Sequence, residues 1–385
     1  MNNFQFKNPT KLIFGKGEIA KIAKEIAKDK KIMITYGGGS IKRNGVYDQV
    51  TTALKDHNFI EFGSIEPNPQ YSTLMKAADL ARKEGVDFLL AVGGGSVIDG
   101  TKFIACAMNF HGDPWSFLVD QSLLKHIIPT PLATVLTLPA TASEMNCGAV
   151  ISRSEIGEKL AFQHALNYPV FSVLDPQVCY SLPAVQRSNG IADTFCHTLE
   201  QYLTYPSKSM IQDRFAEGIL LTLKEIGVSL LEKENDYDLM ANFMLSATMG
   251  LNGFIAMGVP EDWATHMIGH ELTALYGLDH AVTLAIVGPS LMNVMRDEKS
   301  DKLLQYGERV WGINSGGKKE RIDATIAATR NFYESIGIKT HLSDYNIASE
   351  KFELIADRFR QRGWNLGERG TITPSKVLEI LNGAL

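Results

Sequence analysis

Residues 86–105, VDFLLAVGGGSVIDGTKFIA, decide the fold class of this chain. The apolar run at 86–92 is typical of a buried strand, and the segment after the glycines predicts a helix. The tetrapeptide GGGS at 93–96 therefore lies at a strand-to-helix turn. Glycine lets the backbone come close to a ligand, and the first turn of a helix offers free N–H groups to an anion. We expect this turn either to bind a phosphate or to be a tight turn without a ligand.

The same tetrapeptide recurs at 37–40, directly after the strand-like run KIMITY at 31–36. Open α/β sheets bind ligands at the carboxyl ends of their strands, so two such turns favour a nucleotide-binding sheet. Neither turn has the G-x-G-x-x-G spacing of the standard dinucleotide fingerprint. No acidic residue follows KIMITY before Asp48, whereas Lys42 and Arg43 are nearby. This pattern favours NADP over NAD, unless the two basic residues only form a solvated face.

Strand-like and helix-like segments alternate through the first half of the chain. Further extended runs occur at 126–141 and 170–176, and apolar residues recur at helical spacing at 18–30 and 72–85. Alternation of this kind predicts a parallel sheet covered by helices.

The pattern changes at Pro183. Long segments of helical periodicity follow it, among them 211–233 and 237–254, and strand signals are nearly absent. We predict a Rossmann-like α/β dinucleotide-binding domain with a parallel sheet at 1–183. An all-α domain is predicted at 184–385.

Composition excludes several classes of protein. The chain of 385 residues carries 38 basic and 43 acidic residues, so its net charge of -5 gives no reason to expect a nucleic-acid partner. Its four cysteines form no C-x-x-C pair, which argues against a disulfide framework and a thiolate zinc site. The N-terminus has no apolar signal region, and no apolar run reaches the roughly 18 residues of a membrane helix. We expect a cytoplasmic protein that binds neither nucleic acid nor membrane.

Histidines at helical spacing mark the second half. Asp193 and His197 lie four residues apart, which places both side chains on one face of a helix. His266 and His270 repeat this spacing, and His280 follows them. The carboxylate of Asp193 with the imidazoles of His197, His266 and His280 suits a divalent ion such as Zn²⁺ or Fe²⁺. Taken singly, each histidine is better explained as a core or surface residue without a ligand role. The site therefore depends on the two segments meeting in space.

Short motifs along the whole chain match those of a known family: PTKLIFGKG (9–17), TYGGGSIKRNGVYDQV (35–50), EPNP (66–69), LLAVGGGSVIDGTKFIA (89–105), LTLPATASE (136–144), ISR (151–153), EKLAF (158–162), LDP (174–176), ADTFCHTLEQY (192–202) and GHELTALYGLDHAVTLAIV (269–287). By these motifs the chain resembles the iron-type (group III) alcohol dehydrogenases. The similarity is greatest to the branch of NADPH-dependent butanol dehydrogenases and broad-range aldehyde reductases. That family joins an N-terminal dinucleotide-binding domain to an all-helical, metal-binding C-terminal domain.

The resemblance implies roles for single residues. Asp193, His197, His266 and His280 match the metal-ligand positions of the family, and His270 matches a histidine near the nicotinamide and the substrate. His270 is a candidate for relaying the proton, with support of the site or simple packing as the alternative. The positions that match cofactor contacts are Gly37, Gly38, Gly39 and Ser40 near the adenosine 2′-phosphate, Gly93, Gly94, Gly95, Ser96 and Asp99 at the pyrophosphate, and Asn68, Thr137, Leu138, Thr141, Ser143, Asn146 and Lys159 elsewhere along the cofactor.

Two residues depart from the family pattern. Ala142 stands where a glycine is common, and Ala281 follows His280 where a glycine is usual. Each change adds one methyl group, so we expect altered geometry rather than lost function.

The resemblance implies NADPH-dependent and metal-dependent interconversion of small aldehydes and primary alcohols, carried out by a homodimer. The hydride passes to a carbonyl that the metal polarises. A glycerol-dehydrogenase-like or dehydroquinate-synthase-like enzyme is the alternative, because these proteins share the same architecture. A nucleotide-binding protein without catalytic activity is a third interpretation.

Overall fold

Eight strands lie in the first half of the chain in the computed structural model, which describes residues 1–385. Six of them form one sheet, and β6 and β7 form a separate antiparallel hairpin. The strands are β1 (Lys11–Phe14), β2 (Lys31–Tyr36), β3 (Asn58–Phe62), β4 (Phe88–Gly94), β5 (Leu132–Leu138), β6 (Gly148–Arg153), β7 (Glu158–Gln163) and β8 (Phe171–Leu174).

The six-stranded sheet is parallel throughout, in the order β1-β8-β5-β4-β2-β3. Parallel sheets are covered on both faces, so their strands read as continuous apolar runs. The central strands β4, β5 and β8 are buried along nearly their whole length, as such runs require. The predicted parallel α/β fold is confirmed.

The two GGGS turns follow neighbouring strands of this sheet. Strand β2 pairs with β4, and from this pair the chain continues outward in opposite directions, from β2 to β3 and from β4 to β5. The pair therefore flanks the point where the strand order reverses. Crevices at such points are where open α/β sheets bind their ligands.

Helices connect the strands. The predicted helix over 72–85 is present and ends at Gly85, whose φ of 66° closes it in the left-handed region. The helices of this half are α1 (Ile22–Glu25), α2 (Ser40–Arg43), α3 (Val46–Ala53), α4 (Tyr71–Glu84), α5 (Gly95–Ala107) and α6 (Trp115–Val119).

Two local predictions differ from the structure. The helix expected over 18–30 is a 3-10 turn at Glu18–Lys21 followed by the single turn α1, because Ile26 is buried with an extended backbone that leads toward β2. The hairpin of β6 and β7 was not predicted from the strand pattern. Its second strand is largely exposed or half-buried, so it lacks the apolar run that marks the sheet strands.

The second half of the chain contains no strand after β8, and its elements are helical. An isolated bridge joins Leu366 to Ile372. The helices are α7 (Ala184–Tyr202), α8 (Met210–Glu232), α9 (Tyr237–Gly250), α10 (Ala264–Tyr276), α11 (His280–Val294), α12 (Ser300–Tyr306), α13 (Lys318–Ser335), α14 (Phe352–Arg362) and α15 (Pro374–Gly383).

The apolar core of the second half surrounds α10 and α11. Ile268 and Leu272 of α10 are fully buried against Ile286 and Val287 of α11, and residues of α14 and α15 complete the cluster. This packing fixes α10 and the start of α11 relative to each other. No helix of the chain is long and apolar enough to span a bilayer.

The chain divides into two units, each with its own internal contacts. One segment of the helical unit begins at Pro183, near the boundary expected from the sequence. The sheet unit consists of Lys7–Leu182 and Glu234–Thr248, and the helical unit of Met1–Phe6, Pro183–Lys233 and Met249–Leu385.

Candidate active site

Helix α7 carries the first two candidate metal ligands of the helical unit. It is buried from Gly190 to Tyr202, so both polar side chains point into the protein. Nδ1 of His197 lies 3.6 Å from Oδ1 of Asp193, one helical turn away. The spacing of four residues places them on one face, as the sequence predicted.

Two further histidines reach the same carboxylate from α10 and α11. Nε2 of His266 lies 3.8 Å from Oδ1 of Asp193, and Nε2 of His280, the first residue of α11, lies 3.7 Å from it. Ligand atoms of these three residues all lie within 4.8 Å of one another. The ring of His197 stacks on that of His266 with 4.5 Å between centroids, although His197 is not part of the group of three. The structure therefore gathers all four candidates around one oxygen atom.

The polar atoms of this cluster fit a cation. Oδ1 of Asp193 and Nε2 of His266 are buried and have no hydrogen-bond partner. Buried polar atoms without a partner are rare, because each costs roughly 1–3 kcal/mol. Imidazole nitrogens and a carboxylate oxygen are ligands that Zn²⁺ and Fe²⁺ accept. A divalent ion bound between them satisfies both atoms.

Glu200 lies behind His266 on the side away from Asp193. Its Oε2 accepts a short hydrogen bond from Nδ1 of His266, and its Oε1 accepts one from the backbone N–H of Thr265 at 2.6 Å. Burial alone would lower the pKa of His266, but the carboxylates of Glu200 and Asp193 raise it well above 6.5. The negative charge that stabilises a proton on this ring equally favours a metal ion.

Glu200 was missed in the sequence analysis, although a signal was present. It follows His197 by three residues, which places it on the same face of α7 as Asp193 and His197. Carboxylates behind metal-binding histidines fix the tautomer and orientation of the ring.

Trp263, also missed, precedes α10 at its N-terminal end. Its φ of 63° is in the left-handed region, which few residues other than glycine adopt. Its half-buried ring lies 5.3 Å from that of His266 and 6.1 Å from that of His197, measured between centroids. The indole Nε1 donates a hydrogen bond of 2.9 Å to Glu261, whose pKa is raised by burial. No pattern in the sequence indicated that an indole ring would lie beside these two histidines.

His270 lies one turn beyond His266 on α10 and is buried. Its ring centroid is 5.2 Å from that of His280 and 6.4 Å from that of His266. The structure therefore places it next to the metal cluster but outside the set of atoms around Asp193.

The turn at Gly93–Ser96 ends β4 and begins α5. A Cβ atom on Gly93 would lie 2.5 Å from the Val97 side chain, and one on Gly95 would lie 2.6 Å from the Thr141 hydroxyl. A Cβ on Gly94 would meet Leu138 at 2.9 Å. Packing within the protein thus requires these glycines, which is a different reason from the expected close approach of a ligand. The first N–H groups of α5 have no partner within the helix and remain suited to an anion.

The turn at Gly37–Ser40 is open by contrast. Added Cβ atoms on Gly38 and Gly39 would meet nothing within 4 Å, and only Gly37 is close to a neighbour, the Ile65 carbonyl at 3.2 Å. Gly39 has a φ of 88°, so glycine is preferred there for its backbone conformation. Space beside this turn is compatible with the predicted 2′-phosphate contact.

The other candidate cofactor residues belong to the same sheet unit. Asp99, Ser143 and Asn146 take part in one buried hydrogen-bond network centred on Lys102. Lys159 donates to the side chain of Asn68 at 2.9 Å. Thr137 and Leu138 end β5, and Thr141 follows in the loop that packs on Gly95. Lys102 was not singled out from the sequence.

Comparison with known proteins assigns the family. The profile described as iron-containing alcohol dehydrogenase matches residues 9–176, and the profile of the C-terminal region of the same family matches residues 188–385. This chain belongs to the iron-containing alcohol dehydrogenases. It is therefore an oxidoreductase that acts on CH–OH groups, and the resemblance drawn from the motifs is confirmed.

Individual relatives of this alcohol dehydrogenase are similar over their whole length. The NADPH-dependent aldehyde reductase YqhD of Escherichia coli (strain K12) is 56% identical over 377 residues, covering 97% of each chain. The NADH-dependent butanol dehydrogenase A of Clostridium acetobutylicum is 40% identical over 386 residues, covering 99% of each. The crystal structure of E. coli K-12 YqhD superposes with a TM-score of 0.98 at 54% identity, over 100% of this chain and 99% of that one.

The two departures from the family pattern have different structural settings in this alcohol dehydrogenase. Ala142 has a φ of 51° and is fully buried, so an L-residue here adopts a conformation that glycine reaches without strain. Ala281 is buried at the start of α11, within ordinary helical geometry. Only the change at Ala142 therefore puts strain on the backbone.

Proposed function

We propose that this enzyme reduces small aldehydes to primary alcohols with NADPH and a divalent metal ion, and catalyses the reverse oxidation. The observation that carries the proposal is the buried pair of Asp193 Oδ1 and His266 Nε2, which have no partner in the protein and face His280. The E. coli relative at 56% identity is named an NADPH-dependent aldehyde reductase, which supports the same substrate class and cofactor.

Asp193, His197, His266 and His280 would hold the ion, for which we propose Fe²⁺ or Zn²⁺. When bound, the metal supplies a Lewis acid that polarises the substrate carbonyl, and the NADPH supplies the hydride. Glu200 keeps the Nδ1 proton of His266 in place, so that Nε2 faces Asp193. Trp263 and the buried surroundings of α10 limit the access of water to these side chains.

The two glycine turns are the proposed cofactor site. The start of α5 after Gly94 offers N–H groups to the pyrophosphate. Gly38 and Ser40 lie in the open turn after β2, which carries no carboxylate to repel a 2′-phosphate. A relative at 40% identity is named NADH-dependent, so the preference between the two cofactors needs a direct measurement.

We assign the proton relay to His270, which lies beside His280. An imidazole has a usual pKa near 6.5, which allows it to give and take a proton at neutral pH. The homodimer, the cytoplasmic location and the absence of nucleic-acid and membrane partners stay predictions.

The test combines elemental analysis of the purified protein with rates of NADPH and NADH oxidation on short-chain aldehydes such as butanal. We expect about one divalent ion per chain and faster turnover with NADPH than with NADH. His280→Ala should lose the ion, and its rate should fall roughly 10³-fold. Polarisation of the carbonyl lowers the activation barrier by several kcal/mol, and this contribution is lost with the ion. The exposed His126 provides the matched control, and His126→Ala should change neither.

His280→Ala with full metal content and full activity would contradict the proposal. Steady consumption of NADPH separates a reductase from a synthase-like enzyme that returns its cofactor in each cycle. His270→Asn tests the relay separately. It should keep its metal but change the pH–rate profile and the solvent isotope effect, and an unchanged profile removes His270 from the proton path.

A further inference from the structure

Lys102 is a charged residue in the middle of the apolar helix α5. Its side chain is fully buried, and no residue of α5 around it is polar except Asp99 and Thr101. Its ammonium group donates three hydrogen bonds, to Ser143 Oγ at 2.9 Å, to Asn146 Oδ1 at 2.9 Å and to the Gly148 carbonyl at 2.8 Å. All three acceptors lie between Ser143 and the first residue of β6, so a single side chain anchors this loop and its end at three points.

Asp99, one turn earlier on α5, accepts hydrogen bonds from the same loop and from β6, the strand that follows it. Its Oδ1 accepts a hydrogen bond of 2.6 Å from Ser143 Oγ, and its Oδ2 accepts one of 2.9 Å from the N–H of Val150. Ser143 Oγ thus accepts from Lys102 and donates to Asp99. The loop that follows β5 is fixed to the helix that begins at the Gly93–Ser96 turn.

The anchored loop contains the strained residue Ala142. A buried alanine with a φ of 51° keeps this conformation only when its surroundings determine it, because an L-residue relaxes readily to negative φ. Within the loop, the side chain of Asn146 donates to the Thr141 carbonyl at 3.2 Å, and the N–H of Ser143 donates to Thr141 Oγ1 at 3.2 Å. These contacts place the strained residue between groups that Lys102 holds.

We propose that Lys102 is a positioning residue that holds the loop Thr141–Gly148 in the conformation that binds the cofactor, against the strain at Ala142. The inference rests on the proposed function, because it takes Thr141, Ser143 and Asn146 as cofactor contacts. The ammonium group of Lys102 donates to Ser143, Asn146 and Gly148, so it acts on the cofactor through the loop. Its three bonds decide where the loop residues are.

The ammonium group is charged at neutral pH, which these bonds require. Burial lowers the pKa of Lys102 to about 8, while the facing carboxylate of Asp99 acts in the opposite direction. Below that value the group carries the three protons that its three acceptors use.

The experiment compares Lys102→Met with the exposed control Lys76→Met on α4, each tested with and without Ala142→Gly. Affinity for NADPH is measured by the fluorescence of the bound cofactor, and loop mobility by hydrogen exchange without ligand. Lys102→Met should weaken NADPH binding about tenfold, the effect of losing one to two net hydrogen bonds. Exchange should rise in peptides that cover 141–150, with metal content unchanged.

Ala142→Gly separates positioning from general stability. Glycine occupies the left-handed region without strain, so in the Lys102→Met background it should recover at least threefold in NADPH affinity but only a small part of the lost melting temperature. Unchanged affinity and exchange in a folded Lys102→Met protein overturn the proposal. An equal gain in NADPH affinity when Ala142→Gly is combined with Lys76→Met overturns it as well.

A second variant covers the case in which Lys102→Met does not fold. Lys102→Gln keeps part of the donor capacity, and it should weaken NADPH binding about threefold with the same local rise in exchange. If the wild-type protein binds no NADPH, the proposed function fails, whereas the exchange measurement still decides whether Lys102 holds the loop.

Discussion

Two buried polar clusters, one in each unit, differ in how completely the protein pairs their atoms. Around Lys102 the ammonium group has three acceptors and both oxygens of Asp99 have donors. In the helical unit, Oδ1 of Asp193 and Nε2 of His266 have none. A complete cluster stabilises its own geometry, whereas an incomplete one has capacity left for a ligand. The cluster around Asp193 therefore has atoms left to bind a ligand, whereas the charged groups of the cluster around Lys102 have none left and support their neighbours.

The two clusters also share a feature. Each contains one carboxylate whose two oxygen atoms both accept hydrogen bonds from neighbouring groups of the protein. Glu200 accepts from His266 and from the N–H of Thr265, as Asp99 accepts from Ser143 and Val150. In both clusters the supporting carboxylate follows the binding residues on the same helix, Glu200 on α7 and Asp99 on α5.

The largest expected effect is a change of the free energy of unfolding with pH, caused by Lys102 in the fully paired cluster. The pKa of Lys102 is lowered from 10.5 to about 8 in the folded protein. Between these values the unfolded chain binds more protons, so the free energy of unfolding rises with pH, by up to ~3 kcal/mol across the window. Below pH 8 this contribution is lost.

Chemical denaturation at several pH values between 7.5 and 9.5 measures this contribution as the difference between wild type and Lys102→Met. Taking the difference removes most of the contribution of other groups that titrate in the range. Asp99, Glu144 and Cys147 act on Lys102 and remain in both proteins. A difference that stays constant with pH contradicts a buried ammonium group.

The next largest effect is a loss of metal affinity in the cluster around Asp193 and His266, whose atoms are not all paired. Glu200→Gln leaves one carbonyl oxygen for the two N–H donors of His266 and Thr265, so one donor loses its partner. Loss of such support typically lowers metal affinity by about 10–100-fold. Competition with a chromophoric chelator measures this affinity without any assay of activity.

The exposed Glu225 on α8 provides the matched control, and Glu225→Gln should bind metal as the wild type does. Wild-type metal affinity in Glu200→Gln would show that His266 keeps its orientation by packing alone.

The smallest effect tests the open glycine turn. Gly38→Ala adds a methyl group where nothing lies within 4 Å, so the free energy of unfolding should change by no more than about 0.5 kcal/mol. Thermal denaturation measures it. Gly93→Ala is the comparison in the closed turn, and it should cost about 1–3 kcal/mol because the new Cβ lies 2.5 Å from Val97. If Gly38→Ala and Gly93→Ala changed the free energy of unfolding equally, the first turn would not be open and the second would not be closely packed.

Much of the fold could be predicted because its strands are buried on both faces. KIMITY forms β2 over its full length, and the run at 86–92 lies largely within β4. Both could be predicted because a short continuous apolar run that ends at glycines is typical of a buried parallel strand. The prediction of a helix over 18–30 is wrong although its isoleucines recur at helical spacing. They are buried, but the helical backbone covers only Glu18–Lys21, as a 3-10 turn, and Ile22–Glu25 before the chain extends.

The candidate site could be predicted where local spacing determines geometry. Asp193 and His197 share a face of one helix, which the sequence shows directly. The approach of His280 depends on the packing of α10 against α11, which no local pattern encodes. Lys102 gave no signal, because a single lysine within an apolar helix looks like a surface residue until its three acceptors are known.

The division of the chain has a consequence for anyone who exchanges parts between relatives. The backbone passes from one unit to the other four times, and α9 changes unit at Thr248, close to its end. A chimaera with a single crossover near residue 183 would thus pair α9 of one parent with the sheet of the other. Thr248 donates a hydrogen bond of 2.5 Å to the buried Glu144, so a functional hybrid should inherit both from the same parent.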